Sequence, residues 1–329
     1  AGTAITTGDQ NVAVGFEALK ANTTGQRNTA LGWNALLSNT TAQGNTAVGA
    51  YAGDSNTTGA DNTFIGYDTA PANTTGASNT SLGSGSLHAN TTASNNTAVG
   101  FQAGYSNTTA QANTFVGKSA GYSNTTGDQH TALGQNALFS NNTGNSNTAL
   151  GSDSMYTNTT GHGSVAIGRG ALYSNTSGIN NIAIGPYSAA SATAALFSNT
   201  TGSYNIALGK GALHSNTSAS NNTAVGYQAL YTNTTGSDNN AFGYSALKLN
   251  TTGVSNCAFG HVSLDANTTG GHNSGFGHVT LSDNTTGQYN TALGSSALAN
   301  NTTASSNTAV GYRASHDNTT GTRNVSMGS

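Results

Sequence analysis

A 17-residue repeat runs along the chain from Asn11 and constrains its fold more than any other feature. The segment Asn28-Thr-Ala-Leu-Gly32 returns as Asn45-Thr-Ala-Val-Gly49 and, many repeats later, as Asn307-Thr-Ala-Val-Gly311. Repeats therefore begin at 11, 28, 45, 62, 79, 96, 113, 130, 147, 164 and 181, then after a 24-residue step at 205, 222, 239, 256, 273, 290, 307 and 324. We expect one continuous array over residues 1–329, with a seven-residue insertion within residues 186–194 that bulges from a turn without shifting its neighbours.

Each repeat carries the same residue types at the same places, counted from its first residue as position 1. Position 5 is Gly from Gly15 to Gly328, position 4 is apolar, positions 8 and 9 are mostly Ala and Leu, and positions 12–15 read Asn-Thr-Thr-Gly or a close variant. A period of 17 is too short for paired helices, and Gly with Asn-Thr-Thr disfavours helix. We expect strands at positions 2–4 and 7–10, joined by turns at Gly and at Asn-Thr-Thr-Gly.

Each repeat is thus interpreted as one coil of an all-β, parallel β-solenoid of about 18–19 rungs, stacked ~4.8 Å apart. Alternation along the strand predicts that positions 2 and 4 point inward, Cys257 at position 2 included. Positions 3 and 5, Ala and Gly, would then form an outward stripe of small residues. That stripe fits either close approach of a second solenoid or simply a tight roll.

Composition narrows the classes of partner. Only 6% of residues are charged and the net charge is −3, which predicts neither nucleic-acid binding nor attraction to an anionic membrane. No apolar run is long enough to span a bilayer, so we expect no membrane insertion. The single cysteine, Cys257, cannot form an intrachain disulfide, and avoidance of cysteine is compatible with an extracellular protein.

Titratable residues do not converge in the sequence. Glu17 is the only Glu and the ten Asp occupy scattered coils, so we predict no catalytic residues and no cofactor. His261 and His278 share position 6 of consecutive coils, with His272 between them. No carboxylate or Cys completes a ligand set, so exposed histidines without a metal are the favoured interpretation.

Position 12 is Asn in every complete coil and is followed two residues later by Thr or Ser. Each is a formal N-glycosylation acceptor, whereas the alternative is a structural ladder of Asn turns. Glycans on rungs ~4.8 Å apart would compete for space, which favours the ladder. The residues are Asn22, Asn39, Asn56, Asn73, Asn90, Asn107, Asn124, Asn141, Asn158, Asn175, Asn199, Asn216, Asn233, Asn250, Asn267, Asn284, Asn301 and Asn318.

Aromatic residues recur at positions 6 and 10 on consecutive coils. They fit a stripe that stacks on carbohydrate or binds protein, or rings that stack on one another and stiffen the sheet. Paired threonines at positions 13 and 14 resemble the Thr arrays of ice-binding solenoids, but adjacent side chains should point to opposite faces. The stripe candidates are Tyr105, Tyr122, Tyr156, Tyr173, Tyr227 and Tyr244.

The segment Ser164-Val-Ala-Ile-Gly168 and its neighbours resemble the head repeats of trimeric autotransporter adhesins. The longer unit from Asn222 to Gly236 is similar to arrays in phage tail-fibre-like and bacterial surface proteins. The resemblance covers essentially the whole chain and implies a left-handed β-roll, three rolls side by side, and an extracellular location without catalytic residues. The coil here is longer than the autotransporter coil by its Asn-Thr-Thr turn.

These observations favour a non-enzymatic extracellular fibre: an adhesin head or stalk, a phage tail-fibre shaft or a self-assembling surface filament. Its first partner would be itself, as a homotrimer or a head-to-tail filament, with a host-surface glycan or protein as a second. The alternatives are a glycosylated head-to-tail homopolymer and an ice-binding or carbohydrate-binding solenoid.

Overall fold

The structure, a computed structural model, describes residues 1–186 and 193–328. The chain forms two compact units, Ala1–Gly163 and Ser164–Ser329. Every coil contributes one three-residue strand at positions 2–4. The first unit contains β1 (Val12–Val14), β2 (Thr29–Leu31), β3 (Thr46–Val48), β4 (Thr63–Ile65), β5 (Thr80–Leu82), β6 (Thr97–Val99), β7 (Thr114–Val116), β8 (Thr131–Leu133) and β9 (Thr148–Leu150). The second contains β10 (Val165–Ile167), β11 (Ile182–Ile184), β12 (Ile206–Leu208), β13 (Thr223–Val225), β14 (Asn240–Phe242), β15 (Cys257–Phe259), β16 (Ser274–Phe276), β17 (Thr291–Leu293), β18 (Thr308–Val310) and β19 (Val325–Met327).

Within each unit, neighbouring strands pair in parallel and in register. Thr29 lies opposite Thr46 and Leu31 opposite Val48, and the same offset of one coil recurs along both units. This confirms the all-β, parallel β-solenoid with 17-residue coils; the described residues contain no helix. In that part of the chain, accordingly, no helix has the length and hydropathy to cross a membrane.

The expectation of a second strand at positions 7–10 was wrong. These positions form a turn in which two residues per coil have left-handed φ, as at Glu17 (φ 56°) and Leu19 (φ 53°). An extended strand needs negative φ, so two left-handed residues in alternation interrupt pairing and turn the chain instead. Each coil is thus one short strand and a long series of turns.

The strand also faces the opposite way from the expectation. Ala30 at position 3 is fully buried, whereas Leu31 at position 4 is 45% exposed and Thr29 at position 2 is half-buried. The interior is narrow and is already filled by Leu and Ala at positions 9 and 8, so only a small side chain fits where the strand packs against them. The predicted outward stripe of Ala and Gly is therefore wrong, and Cys257 lies half-exposed on the outer side.

Core volume is balanced between positions 3 and 9. Where position 3 is Phe115 instead of Ala, position 9 of the same coil is Gly121 and that of the coil before is Gly104. A Cβ on Gly121 would lie 2.3 Å from the Phe115 ring, and one on Gly104 would lie 2.8 Å from it. Phe64 has the same relation to Gly53, whose added Cβ would meet the ring at 2.4 Å. One large ring thus replaces the usual Leu side chains.

Replacing Phe115 by Ala should lower the free energy of unfolding by about 3–5 kcal/mol, because it leaves a cavity beside two glycines. Gly121→Leu alone should also destabilise, since its side chain meets the ring. Together the two changes restore the Ala and Leu of the other coils, so the double variant should be more stable than either single variant. Urea unfolding of the four proteins measures this coupling, and additive losses would contradict the proposed exchange of volume.

Two columns of buried Asn run through the interior and bond coil to coil. At position 1, Asn28 Oδ1 accepts the N–H of Asn45 (3.0 Å), and its Nδ2 donates to the Ala42 carbonyl (2.9 Å). At position 12, Asn39 Nδ2 donates to Asn22 Oδ1 (3.0 Å) and to the same Ala42 carbonyl (3.2 Å). Both columns are fully buried over most of their length. The buried amides of these two columns are satisfied because adjacent coils supply their partners.

The 24-residue step does not disturb the sheet. Ile182 of β11 lies opposite Ile206 of β12, and the Asn199 amide still donates to Asn175 Oδ1 (2.9 Å). The predicted bulge itself falls mostly on residues 187–192, which lie outside the described residues. The expectation of one continuous array over 1–329 stays a prediction.

Candidate functional surface

The outer face, defined here as the side chains of positions 2, 4 and 6, is the most regular surface of the chain. Positions 2 and 4 flank the buried position 3 on each strand, and position 6 follows the Gly bend. Parallel in-register pairing places like positions side by side on neighbouring coils. In the first unit position 2 is Thr in eight consecutive coils and position 4 is always aliphatic. The threonines are Thr29, Thr46, Thr63, Thr80, Thr97, Thr114, Thr131 and Thr148.

Large apolar side chains on the outer face are open to solvent. Phe16 is 67% exposed, Trp33 53% and Leu31 45%, and the ring of Trp33 lies 6.2 Å from that of Phe16. No position on this face is a carboxylate, and the cations are Lys118, Arg169 and Lys210. A continuous apolar strip of this kind differs from the scattered exposed residues of ordinary surfaces.

In the second unit the outer face carries two columns of stacked rings. At position 4, Phe242, Phe259 and Phe276 stack at 4.6 and 5.1 Å between centroids. At position 6, the stack consists of Tyr227, Tyr244, His261 and His278, at 5.0–5.1 Å. The predicted pair Tyr227 and Tyr244 is therefore brought together.

Position 10 forms a third kind of column, half-buried at the side of the coils. In the first unit its rings stack 4.7–5.1 Å apart with planes within 12° of parallel. Ring faces inside such a column cover one another, so solvent reaches mainly the edges. A sugar that stacks on a ring face has no free face there. The columns are His88, Tyr105, Tyr122, Phe139 and Tyr156 in the first unit, and Tyr173, Phe197, His214 and Tyr231 in the second.

The position-12 amides are not at the surface. Asn39 and Asn124 are fully buried, and each uses its Nδ2 for two hydrogen bonds. A glycan on Nδ2 would remove a donor hydrogen and has no space, so we expect the folded chain to be unmodified there. The two threonines that follow each Asn have different surroundings. In the first complete coil, Thr23 Oγ1 donates to the Thr40 carbonyl (3.1 Å), while Thr24 is exposed. Intact mass distinguishes the two alternatives: the mass of the bare polypeptide would agree with the structural ladder, and sugar increments would indicate glycosylation.

Titratable side chains come together at several places that the sequence did not reveal. In the first unit Asp68 lies beside His88, with 3.2 Å between Oδ2 and Nε2, and burial together with the Asp68 charge raises the pKa of Asp54. Asp265 and Asp283 lie on consecutive coils, near enough to interact, with Lys248 beside them. Burial raises the pKa of Asp265, the Asp283 charge adds to this, and Lys248 opposes it. The repeat did not indicate this pair because the two residues occupy different columns, Asp265 at position 10 and Asp283 at position 11. Among the described residues, no three His, Cys, Asp or Glu side chains are arranged to hold a metal ion.

His130 replaces Asn in the position-1 column. Its Nδ1 accepts the N–H of Asn147 (3.2 Å), as an Asn Oδ1 does elsewhere, and the ring also hydrogen bonds the Gly144 backbone. Burial lowers the pKa of His130 to about 4. The Asn147 N–H has this acceptor only while Nδ1 is unprotonated.

The unfolded chain therefore binds a proton at His130 below about pH 6.5, and the folded chain only below about pH 4. Stability from this site should be complete above pH 6.5 and fall by up to about 3 kcal/mol as the pH drops to 4. His130→Asn should remove this part of the dependence. The test is the difference between the two unfolding free energies across that range; a constant difference would contradict it.

Comparison with known proteins identifies no relative: no protein-family model matches the chain, and no curated protein matches it significantly.

Proposed function

We propose that this chain is a non-enzymatic structural segment of an extracellular fibre that associates side by side with copies of itself through the outer face. The observation that carries the proposal is the unbroken column of apolar side chains at position 4, exposed between 38% and 54% at Val14, Leu31, Leu82, Leu133 and Leu150. The candidate settings are adhesin heads, phage tail-fibre shafts and surface filaments, because the sequence resembles repeats of such proteins.

The size of the outer face supports a partner of its own kind. Nine coils ~4.8 Å apart, each offering about 13 Å from position 2 to position 6, give a strip on the order of 500 Å² in the first unit. The second unit carries a strip of similar size. Each strip alone amounts to more than half of the ~800 Å² that one partner buries in a stable interface. A face without carboxylates and with few cations selects its partner by shape and apolar contact, not by charge.

A second copy offers the matching pattern. Its columns repeat at the same rung spacing, so apolar and Thr columns can meet column to column over many coils. Each exposed Leu that is covered contributes about 1–2 kcal/mol, so a few coils suffice to hold two copies together.

Sedimentation of the full chain tests this proposal. We expect a discrete oligomer that dissociates to monomer in the variant Leu82→Lys/Leu133→Lys, because both residues lie on the outer face. The matched control, Thr92→Lys/Thr143→Lys, places the same charges in the same coils at exposed position 14 and should stay associated. Cys257 lies on the outer face, so a short bis-maleimide should join two wild-type copies.

A monomeric wild-type chain would overturn the proposal. If only the Thr variant dissociates, the interface includes position 14 and not the outer face. An open-ended series of long filaments in electron microscopy, unaffected by the Leu variant, would favour head-to-tail assembly instead. Circular dichroism of each variant establishes that the fold is intact.

A further inference from the structure

Some tyrosine rings on consecutive coils meet face to face. Tyr105 and Tyr122 in the first unit stack with centroids 5.1 Å apart and planes within 6°. Tyr227 and Tyr244 in the second unit stack at 5.1 Å and 16°. In the single chain all four rings are partly open to solvent, Tyr227 by 38% and Tyr244 by 50%. Tyr105 and Tyr122, at position 10, lie off the outer face, so association through that face leaves their pair accessible.

We propose that Tyr105–Tyr122 and Tyr227–Tyr244 are sites of oxidative dityrosine cross-linking between neighbouring coils, with hydrogen peroxide and a haem peroxidase as the oxidising system. In-register coils hold the two rings side by side with nearly parallel planes, so their like atoms are separated by about the rung spacing. The fold thereby supplies the proximity that two separate phenols in water lack.

The reaction balances with one peroxide per cross-link. Each phenol gives up one electron and one proton to become a phenoxyl radical, and the two radicals join through the ring carbons ortho to the hydroxyls. Transfer of the hydrogen on each joined carbon to the carbonyl oxygen of its own ring restores both phenols. Two tyrosines and one hydrogen peroxide thus yield one dityrosine and two waters.

The product is a staple within the chain. The bond joins residues 17 apart, closing a loop of one coil, and such closure restricts the unfolded chain. Stacked rings have to turn toward each other to bond, and the solvent-exposed edge of the column leaves room for that movement. An oxidised fibre would therefore resist unfolding more than a reduced one.

The experiment treats dilute full-length protein with peroxide and a haem peroxidase, then measures dityrosine fluorescence and maps cross-linked peptides by mass spectrometry. We expect links at Tyr105–Tyr122 and Tyr227–Tyr244. Tyr122→Phe keeps the stack and should lose the first link only; Tyr244→Phe should lose the second only. Phe139 stacks on Tyr122 at 5.1 Å, so Phe139→Tyr should create a new link there.

Tyr289→Phe is the control, because Tyr289 is 59% exposed and stacks on His272. It should leave both mapped links unchanged. Mixing chains of light and heavy isotope content separates links within one chain from links between chains. Mixed-isotope links at these pairs would overturn the proposal. So would undiminished dityrosine fluorescence in the double variant Tyr122→Phe/Tyr244→Phe.

Discussion

Asn90→Asp should destabilise the first unit by about 3–5 kcal/mol at neutral pH, because it buries a carboxylate among acceptors. The Asn90 Nδ2 donates to Asn73 Oδ1 (2.7 Å) and to the Ala93 carbonyl (3.1 Å). An Asp oxygen in that place has no hydrogen to give and faces both oxygens. The loss should diminish as the pH falls through the raised pKa of the new carboxyl, since the protonated form donates again.

Asn95→Asp is the matched control in the same coil. Asn95 is exposed and has φ 62°, a left-handed conformation that Asp also tolerates. Its urea midpoint should change little. Equal losses in the two variants would mean that net charge, and not the buried ladder, sets the effect.

Gly134→Val is expected to cost about 4 kcal/mol or more and to disrupt its own coil and those beside it. Gly134 has φ 137°, and a Cβ there would lie 2.6 Å from the carbonyl carbon of Gly151, an atom of the next coil's backbone. Backbone held in the sheet cannot move aside without breaking its pairing. Hydrogen exchange should show lost protection in the β7, β8 and β9 coils.

Gly85→Asn controls for loss of a glycine as such. Gly85 has φ 64° at position 7, and a Cβ there would meet nothing closer than 3.4 Å. Asn34 and Asn136 already occupy the same position with φ 59° and 55°. This variant should unfold near the wild-type midpoint; a loss as large as that of Gly134→Val would refute the bend at position 5.

The solenoid could be predicted from the sequence because the same residue types recur at the same places every 17 residues. The direction of the strand could not. Leu at position 4 suggested the core, yet the coil buries Ala30 and exposes Leu31. Interior space is limited by Leu36 at position 9, whose left-handed φ of 49° no periodicity rule anticipates for a Leu.

The candidate surface was predicted in part. The stacked columns follow from in-register repeats, so Tyr105 and Tyr122 could be paired from spacing alone. The outer face could not be predicted, because it depends on the strand facing opposite to the expectation, with position 3 buried and positions 2 and 4 outside. His130 could not be recognised either, since its role as an Asn substitute depends on hydrogen bonds to Asn147 and Gly144.

The register kept across the 24-residue step has a consequence for how such a gene changes length. Each coil presents the same amide acceptors to the next, whichever coil that is, so removal or duplication of a whole coil leaves matching partners at the junction. Unequal recombination in steps of 17 codons should therefore yield folded products of many lengths, whereas a shift by any other number should survive only at a turn. Length is then a property that mutation can adjust without rebuilding the Asn ladders, provided that a core ring such as Phe115 keeps the Gly104 of the coil before it.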